Sequence, residues 1–116
     1  MIALKWVRPE TAGGWYTLDS VETGWIGMLG VYMIWHEGAP ARVIRISQGD
    51  IGRQLQLEQI SPRVLQYRIF GGLYVTWAQV PGPLRDGVER YLANRFRPCV
   101  GEQFALSLPL PATTPF

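Results

Sequence analysis

The chain holds one cysteine, Cys99, and one histidine, His36, in 116 residues. A single thiol excludes an internal disulfide framework and a multi-thiolate zinc site, and one histidine beside it leaves Cys/His metal chemistry short of ligands. Cys99 reads as a small buried or half-buried residue following a helix. Long hydrophobic runs are missing too: the longest nearly apolar stretch, Ile26 to Trp35, falls well short of the roughly 18 to 20 residues that cross a bilayer. No membrane association is expected, and without a signal-peptide pattern at the N-terminus the expected location is cytoplasmic. Charged residues are few, at 17%, and lysine is nearly absent, Lys5 standing beside ten arginines.

Apolar residues make up 47% of the chain, enough to offset the entropy of ordering, and the length suits one domain without staples. The net charge of +2 is unevenly spread: the segment from Arg42 to Arg97 carries +5, the first 41 residues −2 and the tail −1. Guanidinium forks match phosphate oxygens and stack on bases, which points to a nucleic-acid surface; a solvated arginine-rich exterior is the plain alternative.

Residues 1–29 combine Pro9, Gly13-Gly14, Gly24, Gly27 and the tryptophans Trp6, Trp15 and Trp25, an irregular leader with one short strand at Trp15 to Leu18. The tryptophans follow no single face, so packing against the core is favoured over a stacking platform. Gly30 to His36 alternates as a strand, with Tyr32, Ile34 and His36 on one face and Val31, Met33 and Trp35 on the other. The turn-like Glu37-Gly38-Ala39-Pro40 leads to a second strand, Arg42 to Ser47, in which Val43, Arg45 and Ser47 alternate with Ile44 and Ile46. Asp50 is placed to cap a short helix carrying Ile51 and Leu55, stopped by Ser61-Pro62. Val64 to Phe70 and Leu73 to Val80 read as two strands joined by a Gly71-Gly72 turn, the second one central. After Pro81-Gly82-Pro83 a helix runs to Arg95–Arg97, with Leu84, Val88, Tyr91, Leu92 and Phe96 on one arc and Glu89 at its edge, about 140° from Leu84. Residues 102–116 read as an extended strap.

Gly30-Val31-Tyr32, Ser47-Gln48-Gly49-Asp50-Ile51, Leu73-Tyr74-Val75-Thr76-Trp77-Ala78, Val88-Glu89-Arg90-Tyr91-Leu92 and Arg97-Pro98 stand in the order hairpin, helix, strand, helix. In this the chain resembles the GIY-YIG nuclease superfamily over residues 30–101. The resemblance implies an α+β fold: a single GIY-YIG-like domain with a small, mostly antiparallel sheet flanked by helices. It also implies a phosphodiesterase centre, with a tyrosine that helps activate water, a supporting second tyrosine, a helix arginine on the phosphate, a glutamate holding one divalent metal and a late asparagine. Tyr32 takes the first tyrosine's position and Glu89 the metal ligand's, for Mg2+ or Mn2+.

The other positions depart from the pattern. Arg45 replaces the second tyrosine and Ser47 the glycine; Arg45 is able to lower the pKa of Tyr32 or to bind phosphate. Gln54 stands where the helix arginine is expected. Arg53 is the available substitute, although it lies about 200° around the helix from Ile51. Gly101 falls at the asparagine's distance, with Ser107 further on, and His36 reads as a hairpin-end residue. The catalytic candidates are therefore Tyr32, Arg45 and Arg53, the metal candidate Glu89, and the nucleic-acid candidates Arg45, Arg53 and Arg85. Glu89 has a plainer reading as the partner of Arg85 one turn earlier.

Two functions follow: a nucleic-acid-binding domain, with DNA as the expected partner, that retains metal-dependent cleavage, or an inactive relative serving as a nucleic-acid or protein binding module. An aromatic carbohydrate-binding module explains less of the motif order.

Overall fold

The computed structural model describes residues 1–10, 13–101, 104 and 106–116. Among them run β1 (Tyr16–Thr17), β2 (Leu29–His36), β3 (Arg42–Asp50), α1 (Ile51–Glu58), α2 (Pro62–Leu65), a 3₁₀ segment (Gln66–Phe70), β4 (Leu73–Gln79) and α3 (Gly82–Phe96). The four strands form one sheet in the order β1-β4-β2-β3, each neighbouring pair antiparallel. The fold is α+β, and no helix among the described residues is long and apolar enough to cross a membrane.

Alternation along β2 divides the core in two. Tyr32 and Ile34 face a cluster completed by Ile51 and Leu55 of α1, Val64 of α2, Val75 and Trp77 of β4, and Leu18, Val21 and Ile26 of the leader. Val31, Met33 and Trp35 face the opposite side, where Val88 and Leu92 of α3 pack with Val43, Ile46 and Val80. With apolar residues on both faces, β2 and β4 have few positions left for polar side chains, hence their nearly unbroken apolar runs. Each buried Ile, Leu or Val stabilises the fold by about 1.5–3 kcal/mol.

Two local readings are corrected. Val64 to Phe70 is helical rather than a strand. Pro62, with its fixed φ, opens α2, and the Ser61 carbonyl accepts from the Val64 and Leu65 amides. Only Val64 in this stretch is fully buried, so there is no strand face to bury, and Gly71-Gly72 joins the 3₁₀ segment to β4 instead of turning a hairpin. In β3 the simple alternation fails. Ile34 pairs with Arg45, but Trp35 pairs with Val43, so Ile44 is an extra residue at a bulge. Ile44 consequently joins the Tyr32 side of the core, while Val43 joins Ile46 on the other.

The leader and tail meet. Ile2 pairs in parallel with Ala112, the Trp6 indole donates to the Thr113 carbonyl, and the Leu110 amide donates to the Gly87 carbonyl on α3. Trp15 packs edge-on against Trp35, and Trp25 lies 5.8 Å from Trp77. Part of the strap reading, at residues 102, 103 and 105, and part of the leader reading, at 11 and 12, lie outside the described residues.

Candidate functional site

Gly30 sets the position of Tyr32. A Cβ on Gly30 would stand 1.9 Å from the Ala78 carbonyl oxygen, so only glycine lets β2 lie this close to β4. Two residues later the fully buried Tyr32 points toward α1, with Ser47 opposite it on β3.

The third member of the site comes from α1. Asp50 caps this helix by accepting from the Arg53 amide. Ile51, Leu55 and Glu58 then recur at i, i+4 and i+7, one face of an α-helix, and all three are buried. The helix that packs Ile51 and Leu55 on the sheet thus carries a carboxylate into the core. Glu58 Oε2 accepts a 2.8 Å hydrogen bond from the Tyr32 hydroxyl and a 2.9 Å bond from Arg45 Nε, the latter an ion pair. Arg45 reaches it from the bulge in β3, its side chain 26% exposed against 9% for Glu58.

This geometry raises the Tyr32 pKa well above the usual tyrosine range. Burial contributes most, followed by the negative charge of Glu58 and the hydrogen bond to it. Arg45 pulls the pKa down, as the sequence implies it is able to, and so does Ser47, but burial and Glu58 outweigh them and the net shift is upward.

The segment after α3 closes over the same place. The Val100 amide donates to the Ile44 carbonyl at 2.7 Å, laying this stretch along the outer edge of β3. Gly101 follows with φ at +128°, and a Cβ there would meet the Phe104 ring at 3.0 Å and Arg45 Nη1 at 3.3 Å. The position matched to the late asparagine therefore abuts Arg45, in a backbone conformation that favours glycine.

The remaining candidates lie elsewhere. Arg53 is exposed on α1. Arg85 is half-buried in the first turn of α3, its Nε buried without a hydrogen-bond partner among the described residues. Glu89 is 6% exposed and engaged with neighbours, on the helix that packs against the face opposite Tyr32. Ser107 Oγ donates to the Leu108 carbonyl. At the hairpin end, His36 Nδ1 accepts from the Gly38 amide at 3.1 Å, and its ring lies 5.1 Å from that of Phe70. The structure brings Tyr32 and Arg45 together, around a residue the sequence reading did not single out. The signal for Glu58 was its i+7 spacing from Ile51, which puts an acid on the apolar face.

Among the described residues no three His, Cys, Asp or Glu side chains gather as a metal-ligand group. No protein-family model matches the chain, and no curated protein or solved structure matches it either.

Proposed function

We propose that the chain is a GIY-YIG-like domain that binds nucleic acid and whose hydrolytic centre has become a structural polar lock. The observation carrying this reading is the single oxygen of Glu58 that accepts hydrogen bonds from both the Tyr32 hydroxyl and the Arg45 guanidinium. A tyrosine that activates water needs a phenolate, or a hydroxyl oxygen that water can reach. Tyr32 is instead fully buried, donates its hydroxyl hydrogen to a carboxylate and is held neutral by burial and by that charge. Arg45, the cation nearest to it, is neutralised in the same contact. Tyrosine, glutamate and arginine together carry no net charge, so the centre offers little to a developing phosphoryl charge.

The residues do not fit a divalent metal beside Tyr32. The carboxylate at its hydroxyl is occupied by two donors, and Glu89 belongs to the helix on the other face of the sheet. No metal-dependent step is derived for this centre.

The resemblance is supported by the close approach at Gly30 and by the adjacency of Gly101 to Arg45, which makes two departures from the motif mutually dependent. A larger side chain at Gly101 would press on the Arg45 guanidinium. Binding falls to arginines outside the lock. Arg42, Arg53, Arg95 and Arg97 are exposed, suited to phosphate contacts that position a duplex without reading its sequence.

The test is binding of labelled duplex and branched DNA across a salt series in magnesium, with strand integrity read from the same samples. Salt-dependent binding to DNA that stays intact is expected. Product that disappears in Glu89→Gln would restore an active nuclease, and absence of binding at low salt would turn the module toward a protein partner.

A further inference from the structure

At the far end of the β2–β3 hairpin, away from the Tyr32 lock, a hollow of about 350 Å³ is lined by His36, Pro40, Arg42, Tyr67, Phe70 and Cys99. Its chemistry is mixed in a way the core does not require. Phe70 has one side against the His36 ring, yet the residue is 52% exposed, an aromatic surface left uncovered at the mouth of a cavity. Tyr67 flanks it with centroids 6.3 Å apart. His36 is itself only 7% exposed, and its Nδ1 accepts the Gly38 amide, so the neutral ring carries its proton on Nε2. No hydrogen bond to Nε2 is formed among the described residues, although the ring lines the hollow. Arg42 adds an exposed guanidinium on the same rim.

A half-covered aromatic ring, a buried imidazole donor and a cation around one small cavity match the parts of a nucleotide: a flat base and an anionic phosphate. We infer that this hollow receives one unpaired nucleotide, its base against Phe70 and its phosphate toward Arg42. The inference rests on the nucleic-acid reading above and narrows it, because a base inside a duplex cannot enter a cavity of this size. The preferred ligand is a strand end or overhang. Stacking of this kind tolerates any base, so no sequence preference accompanies it. Cys99, half-buried on the wall, reports occupancy through its thiol without taking part.

Two labelled duplexes of equal length, one blunt and one with a short single-stranded overhang, are titrated with the wild-type chain and with Phe70→Ala, and a nucleoside 5′-monophosphate is added as competitor. Phe70 is the informative position because so exposed a side chain contributes little to folding, whereas Arg42 also borders a second hollow with Trp35, Phe96 and Arg95. The wild-type chain should prefer the overhang by roughly 5- to 150-fold, the range for one stacked base, and Phe70→Ala should lose that preference while binding the blunt duplex unchanged. The monophosphate should erase the preference and slow alkylation of Cys99. Equal wild-type affinity for the two duplexes, with Cys99 alkylation unchanged by the monophosphate, would overturn the hollow as a nucleotide site and leave duplex binding standing. Monophosphate binding without overhang preference would overturn the strand as the source. Failure to bind either duplex at low salt would overturn the nucleic-acid reading itself.

Discussion

The Tyr32 hydroxyl and the Glu58 carboxylate are joined by a 2.8 Å hydrogen bond inside the core, and the same carboxylate oxygen also holds Arg45. Removing the hydroxyl leaves Glu58 with one donor in a place water reaches poorly. Tyr32→Phe, nearly unchanged in shape, should lower unfolding stability by about 1.5–3 kcal/mol, the range for a hydrogen bond to a charged group. Urea unfolding of the two proteins measures it. A difference near zero would mean that the bond contributes little.

Ionisation of Tyr32 gives a pH dependence of fixed sign. Its pKa is raised in the folded protein, so between the unfolded value of about 10 and the folded one, the unfolded chain gives up the proton while the folded chain keeps it. The contribution is fully present below pH ~10 and is lost as pH rises through the folded pKa, by at most about 1.4 kcal/mol per pH unit. Tyr32→Phe lacks this component. The stability difference between wild type and variant should be flat below pH ~10 and shrink above it; parallel curves would contradict the assignment.

Gly30 and Gly24 separate close approach from simple sequence preference. Gly30→Ala sets a methyl against the Ala78 main-chain oxygen, which cannot swing aside, and should cost at least ~3 kcal/mol or prevent folding. Gly24 faces open space, and Gly24→Ala should stay within ~0.5 kcal/mol. Thermal melts of both variants suffice.

Much of this was legible in the chain. The strand at Gly30–His36, the Asp50-capped helix, the central Leu73–Val80 strand and the Pro83-led helix each announce themselves by period and punctuation. Val64–Phe70 misleads because its β-branched and aromatic residues suit a strand locally, while Pro62 and the scant burial beyond Val64 favour a helix. Alternation shows that Tyr32 and Val31 face opposite ways, but not which helix covers which face. That choice is made by packing and sets Glu89's helix apart from Tyr32. The bulge at Ile44 has no glycine or proline to mark it. Glu58 was readable from helical spacing alone, on the Ile51 and Leu55 face of α1, but it falls at none of the motif's positions.

Arginines inside and outside the lock should behave differently toward DNA. Arg53 is exposed, and if it meets a phosphate, Arg53→Gln reduces the salt slope of binding by about 0.9. Arg45→Gln should leave the slope unchanged and lower stability instead, because its charge is already committed to Glu58. Affinity measured across a salt series separates the two, and a slope change confined to Arg45→Gln would reverse their roles.

The central claim, that Glu58 withholds both Tyr32 and Arg45 from phosphoryl chemistry, is tested most directly by a single-turnover assay. Protein in excess over end-labelled DNA is incubated with manganese and followed until well after binding is complete. The account predicts bound, intact strands throughout. Strand cleavage by the wild-type chain that is lost in both Tyr32→Phe and Glu89→Gln would contradict it.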